Sequence, residues 1–431
     1  MSGGRAGRAA VGLRGLLGDG ALGGLVGATG MIGVAGAMVT TSVSLFLSDK
    51  VGATPLMIGL FFAGRAVMEI ASDLVVGAMS DRIGNRRSLL ALCSLLSAVG
   101  ALCYSAFRDY YLLFAAAAVF FGIGSACFSQ LFAYTREFAD NRAMDATFFN
   151  SALRSVTSLA WIVGPPLGFL LIDVRGFGTL FLTASALYLA AGALCLWRLP
   201  NLRVEQGGAA AGSPYRGIGR RSALLMTAVV LLLAVNSIYQ IDIALFVTKD
   251  LHFAAGFTGV LLGVASALEI PVMMYLGSRA ERFGKWRLVL VGACCAVLFF
   301  AALPNVHSAW LLVLLQLPNA VWTSIVLSIP VTILQDAMAD RVGAASALYS
   351  SSFKAGILLG GATAGTVTQW AGFTDVFWAC ALLSAAAALL LALGRGLGHQ
   401  RSAGQRGRAD VQPATAAAAH PGVADAAEPA G

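Results

Sequence analysis

Charge is what this sequence has least of: Asp, Glu, Lys and Arg make up 12% of its 431 residues, against 58% hydrophobic ones. A soluble domain carries roughly 25% charged residues to cover itself with water-facing groups. A water-soluble globule is therefore excluded, and with it a soluble enzyme. Histidine is also scarce, and His252, His307, His399 and His420 all fall outside the middles of the long apolar runs, which excludes a histidine proton relay. The seven cysteines lie within apolar runs without metal-like spacing and are expected as small packing residues, so no metal site and no cofactor are expected. Neither a Gly-x-x-x-x-Gly-Lys-Ser/Thr loop nor a His-Glu-x-x-His run occurs, so ATP-driven pumping and zinc-peptidase chemistry lack their residues.

Long apolar runs take the place of what is missing. A stretch of about 20 residues crosses a hydrocarbon core of about 30 Å, and twelve such spans are expected, at 21–47, 55–79, 88–106, 110–134, 146–172, 178–197, 222–248, 255–278, 287–304, 308–333, 342–367 and 372–394. The fold class is therefore an all-α membrane protein of twelve helices in two six-helix halves. An N-terminal arm (1–20), a first half (21–198), a central loop (199–221), a second half (222–395) and a disordered tail (396–431) use the whole chain. The first run is too long for a secretory signal and is expected to stay as a span. The arm, the even-numbered loops and the tail hold 22 Lys and Arg, whereas the odd-numbered loops hold only Lys50, Arg108, Arg175 and Lys249. Positive charge stays inside, so both termini are expected in the cytoplasm. This asymmetry accounts for the net charge of +8 without a nucleic-acid partner.

Residues 45–87 align with 245–287 without a gap. Gly59 matches Gly259, Glu69 matches Glu269, and the same offset of 200 pairs Arg154 with Lys354. Six spans per half make this a parallel repeat, related by an axis along the membrane normal. The repeat duplicates a loop motif: Gly77, Asp81, Arg82, Gly84 and Arg87 between spans 2 and 3, and Gly277, Glu281, Arg282, Gly284 and Arg287 between spans 8 and 9. Its glycines allow a tight turn, and its acid can pair with the arginines or a helix N-terminus. The motif resembles the loop signature of the major facilitator superfamily, where it is associated with the cytoplasmic gate.

An ionisable residue in mid-membrane costs about 2.5–3.5 kcal/mol on insertion scales, which makes it a functional candidate. Arg65, Glu69 and Asp73 on span 2 share one stripe at i, i+4, i+8; Arg154, Asp242, Glu269 and Lys354 lie on spans 5, 7, 8 and 11. In the major facilitator fold, span 2 faces span 11 and span 5 faces span 8. The expected pairs are therefore Glu269 with Arg154 and Glu69 with Lys354, made in one access state and broken in another, with a carboxylate taking up a proton as its partner leaves. The alternative is that the pairs are static struts.

Span 7 carries Asn236, Tyr239 and Gln240 beside Asp242, and Gln130, Asn150, Trp161, Asn319 and Trp322 add amides and aromatic faces. Such groups suit a hydroxyl-rich ligand. Buried amides also bond neighbouring helices, which is the competing role. Trp286, Trp310 and Trp370 fall at span ends and are expected as interface anchors. Gly164, Pro165, Pro166, Leu167 and Gly168 interrupt the backbone ladder of span 5 and are expected to bend it; the string partly resembles the glycine-proline signature of major facilitator antiporters.

At finer grain the chain resembles the bacterial sugar efflux transporters of this superfamily over about residues 30–395. The resemblance is carried by residues 34–37, 44–48, 58–61, 130–133, 136–140, 158–161 and 164–167, by Asp242, and by residues 268–271. It implies proton-driven export of small sugars, with Arg154, Asp242 and Glu269 at matching positions, while Arg65, Glu69 and Asp73 depart from the family pattern. The expected function is a monomeric, proton-coupled exporter of sugars or related polar solutes embedded in the lipid bilayer of the inner membrane. The alternatives are a drug or amphiphile antiporter of the same superfamily, and a non-transporting membrane sensor, for which the expected soluble domain is missing.

Overall fold

The computed structural model describes residues 20–83, 85–141, 146–201, 219–338 and 342–409. Lipid offers no hydrogen bonds to the backbone, so a chain this apolar must satisfy its peptide groups within helices. The helices are α1 (Gly20–Phe46), α2 (Pro55–Ile83), α3 (Arg86–Ala106), a segmented α4 (Tyr110–Ala116, Ala117–Phe121, Gly122–Gly124, Ala126–Asn141), α5 (Ala146–Arg175) and α6 (Phe177–Arg198). The second half repeats them as α7 (Arg220–Leu245), α8 (Ala255–Ser278), α9 (Lys285–Ala302), a two-part α10 (Ala309–Leu314, Gln316–Ala337), α11 (Val342–Ala371) and α12 (Val376–Ala409). Both α1 and α7 end in a π-helical turn, Leu47–Val51 and Phe246–Asp250.

Among the described residues, eleven of these helices have the length and hydropathy to cross a membrane. α11 falls short because Lys354 and its many glycines, serines and threonines dilute its apolar content. α12 continues as helix to Ala409, past the expected start of the tail at 396. Propagating a formed helix is cheap, and leucine, glutamine, arginine and alanine favour it. The arm to residue 19, the loop 202–218 and the tail from 410 lie outside the described residues.

The packing is unchanged when the halves are exchanged. α1 lies against α5 and α6 as α7 lies against α11 and α12, and α3–α6 corresponds to α9–α12. Between the halves, α2 packs along α11 and α8 along α5, with α1 touching α7 on the axis. Large apolar side chains such as Leu60, Leu92, Leu182, Leu298 and Leu382 are exposed around the outside, where lipid replaces water.

Loops after odd-numbered helices emerge on one face, here the odd-loop face, and the others on the even-loop face. The halves meet tightly at the odd-loop face. A Cβ on Gly59 of α2 would lie 2.4 Å from the Gly361 carbonyl oxygen of α11, and one on its repeat mate Gly259 of α8 would lie 2.9 Å from the Pro166 Cα of α5. Only glycine permits either approach. The two prolines of α5 thus form a contact surface for α8, and α5 runs as one helix through them.

Trp286 departs from the expected role of anchor. It is buried, and its indole N–H donates to the Leu391 carbonyl at 2.9 Å, tying α9 to α12. Trp310 and Trp370 are exposed near helix ends, as an interfacial belt requires.

Candidate functional site

The stripe on α2 folds as its spacing dictates, but its partners differ from those expected. Arg65 Nε meets Glu69 Oε1 at 2.7 Å along one turn, and its guanidinium sits 5.4 Å from the centre of the Phe121 ring. Lys354 of α11 pairs with Asp73, and its ammonium also donates to the Glu69 backbone carbonyl at 3.4 Å. The expected Glu69–Lys354 side-chain pair is therefore replaced by Glu69–Arg65 and Asp73–Lys354. An arginine one turn away on the same helix reaches Glu69 with no inter-helix gap to cross. Lys354 then takes the acid one turn further along α2. Two cations and two acids leave this cluster neutral across the α2–α11 seam.

The repeat-related side is arranged differently. Position 265, the counterpart of Arg65, is Ala265, so Glu269 has no cation on its own helix at that spacing. Among the described residues no ion pair joins Glu269 to Arg154. The Glu269 side chain lies against the Thr323 hydroxyl of α10, and its backbone carbonyl accepts from Ser324 Oγ at 3.0 Å. Arg154 is exposed, 5.8 Å from the centre of the Phe132 ring. Both charges lie close enough to Tyr349 to act on it electrostatically, and the Tyr349 hydroxyl itself donates to the Val326 and Leu327 carbonyls at 3.1 and 3.2 Å. Asp242 of α7 is 2% exposed; Oδ1 accepts from Thr368 Oγ1 of α11 at 3.2 Å, and Oδ2 has no hydrogen-bond partner among the described residues.

Several candidate ligand residues bond to one another. Tyr239 donates to Gln316 Oε1 at 3.2 Å, Asn319 Nδ2 donates to the same oxygen at 2.8 Å, and Trp322 Nε1 donates to Asn319 Oδ1 at 2.9 Å. All four are buried, with Phe299 and Phe300 against the rings of Tyr239 and Trp322. Fully satisfied polar networks of this kind hold helices in register. Gln316 was not among the sequence candidates, although it shares a face of α10 with Asn319 and Thr323. Gln130 is likewise engaged: its Oε1 accepts from Arg86 Nη1 at 2.8 Å, and Arg86 Nε pairs with Glu137 at 2.6 Å, joining α3 to α4. Asn236 is buried, Gln240 and Trp161 are half-buried, and the Asn150 side chain lies outside the described residues.

The first loop motif is partly visible: Gly77 lies within α2, the side chains of Asp81 and Arg82 and the position of Gly84 lie outside what is described, and Arg87 donates to the Leu199 carbonyl at 3.2 Å. In the second, Gly284 turns the chain at φ +82°. Glu281 there pairs with Lys285 at 2.6 Å rather than with Arg282 or Arg287, and Lys285 also holds Asp336 of α10 at 2.5 Å. A Cβ on Gly277 would meet open space.

Two repeated helical halves that close on each other at one face, with charges held between them in mid-membrane, define a membrane transporter. The family model of the major facilitator superfamily matches residues 25–305 and 225–424. The chain belongs to this superfamily. It is 36% identical to sugar efflux transporter A of Escherichia coli (strain K12) over 83% of this chain and 92% of that protein. It is 34% identical to sugar efflux transporter A of Dickeya chrysanthemi over 82% and 91%. The crystal structure of the nucleoside transporter NupG shares the fold, with a TM-score of 0.73 at 15% identity over 86% of this chain and 98% of that one.

Proposed function

We propose that this protein exports sugars or related small polar solutes across the inner membrane in exchange for protons, by rocking of its two halves. The even-loop face and both termini are cytoplasmic, and the chain acts as a monomer. Similarity to sugar efflux transporters along nearly the whole chain supports the substrate class; nothing in the site favours a drug or amphiphile exporter over it. The observation that carries the coupling is the contrast between repeat-related acids: Glu69 is matched by Arg65, while Glu269 faces a hydroxyl. A carboxylate in mid-membrane without a bonded cation is poised to exchange a proton as its surroundings change.

Arg154 supplies a cation for sugar hydroxyls and Tyr349, whose hydroxyl donates to the Val326 and Leu327 carbonyls, an acceptor oxygen, with Phe132 as an aromatic face. Asn236, Gln240, Trp161 and Asn150 are further contact candidates, and Asp242 is a second proton-binding candidate. Tyr239, Asn319, Trp322 and Gln130 act as packing groups that shape the site from behind. Arg65, Glu69, Asp73 and Lys354 serve as the seam between α2 and α11, and the loop motifs serve as the cytoplasmic gate. Uptake of labelled lactose into inside-out vesicles tests this reading: acidifying the lumen drives accumulation in the wild type, and Glu269→Gln abolishes that response while equilibrium exchange persists. Undiminished gradient-driven uptake in the variant refutes a coupling role for Glu269.

A further inference from the structure

The odd-loop face holds a feature that the transport reading does not require. The offset of 200 that relates the halves maps Asp49 onto Lys249 and Lys50 onto Asp250. A two-fold axis brings equivalent positions face to face, so identical charges at 49 and 249 would repel. The sequence instead reverses the order of acid and base between the halves, and Asp49 forms an ion pair with Lys249. Each lies within a π-helical turn, Leu47–Val51 in one half and Phe246–Asp250 in the other.

Two more ties on this face join equivalent helix pairs, α2 with α11 and α8 with α5. Leu56 and Gly256 are repeat mates and the second residues of α2 and α8, where backbone N–H groups have no partner in their own helix. Leu56 N–H donates to Gln369 Oε1 at 3.3 Å, and Gly256 N–H donates to Asp173 Oδ2 at 2.7 Å. Gln369 lies on α11 and Asp173 on α5, so each helix start is capped by the opposite half. A Cβ at position 256 would lie 2.4 Å from Asp173 Oδ2, so glycine there makes room for the cap.

We propose that these ties form a two-fold latch whose charge-swapped centre, Asp49–Lys249, holds the odd-loop mouth shut and is released each time that mouth opens. The side chains of the central pair are 31% and 41% exposed. Exposed ion pairs are individually weak and salt-sensitive, which suits a contact that is made and broken in every cycle. When the mouth opens, water replaces each partner at little cost. The Arg65–Glu69 pair at mid-membrane, only 15% and 12% exposed, lacks that property.

The latch rests on alternating opening of the halves but not on any substrate, and its test reads opening directly. Ala63 of α2 is buried just beneath the seal, against α11. In full-length protein carrying Ala63→Cys, modification by a membrane-impermeant maleimide from the odd-loop side reports the open mouth. Asp49→Lys and Lys249→Asp are each expected to raise the labelling rate about threefold or more, and the double swap Asp49→Lys with Lys249→Asp to return it to the starting rate. Salt has opposite signs: added potassium chloride speeds labelling with the native pair, by screening attraction, and slows it in Asp49→Lys, by screening repulsion. Unchanged labelling in the single reversals, or no recovery in the double swap, overturns the latch. Lost sugar transport with this labelling pattern intact would instead count against the transport reading.

Discussion

At the residue scale, the intramembrane charges differ in how completely they are matched. Arg65 and Glu69 are bonded at 2.7 Å away from water. Removing one partner strands a charge in a medium that penalises it by about 3–5 kcal/mol, whereas replacing both with apolar residues costs far less. Arg65→Leu should therefore lower the melting temperature of the purified protein sharply, and Arg65→Leu with Glu69→Leu should regain most of the loss. Equal losses in both variants would show that the pair is not a stabilising unit. The Tyr239–Gln316–Asn319–Trp322 network makes a complementary case. Asn319→Leu leaves the Trp322 N–H without its acceptor, at a cost of about 1–3 kcal/mol. The expected outcome is a less stable protein with an unchanged KM for sugar; a raised KM at unchanged stability would return Asn319 to the ligand site.

The repeat itself explains why some residues could be read correctly and others not. Glu69 and Glu269 stand at equivalent positions, and symmetry suggested equivalent partners. The difference arises four residues earlier, where one half has Arg65 and the other Ala265. That difference was visible in the sequence, because i,i+4 is a local relationship on a helix. Lys354 choosing Asp73 over Glu69 was not visible, since the choice depends on how α11 is shifted along α2.

At the scale of elements, the seams between halves rest on backbone approach rather than on bulky side chains. Apolar side chains gain little by leaving lipid for protein, so close van der Waals contact between small residues supplies the attraction. Gly59 and Gly259 occupy repeat-related places, one against Gly361 and Gly365, the other against Pro165, Pro166 and Phe169. Gly59→Ala forces a methyl group to within 2.4 Å of a backbone oxygen, and overpacking of this kind costs about 1–3 kcal/mol. The expected result is a wider odd-loop mouth and slower transport, read by maleimide access at position 63. Leu92→Ala, on an exposed position of α3, should leave both unchanged. Besides the bend expected of them, the prolines of α5 form the surface on which Gly259 and Gly263 rest. Ring contact between helices cannot be inferred from one helix alone.

At the scale of the molecule, the orientation that follows from 22 basic residues against four gives a direct test. A cysteine replacing Lys50 should react with an impermeant maleimide in intact cells, and one replacing Ala409 only after the membrane is opened. The reverse pattern would invert the assignment of both gates. The sequence by itself determined that the chain crosses a membrane many times and that it is a duplication, and its loop charges set the orientation to be tested. Each of these depends on quantities summed along the chain: the length of an apolar run, the register of a repeat, the number of arginines in a loop. Only the tertiary structure decided that Lys354 takes Asp73, that Asn319 and Trp322 bond to each other, and that Asp49 meets Lys249. A hydrogen bond or ion pair requires atoms within about 3–4 Å, and that distance depends on the rotation and axial shift of two helices distant in sequence, which no single helix encodes.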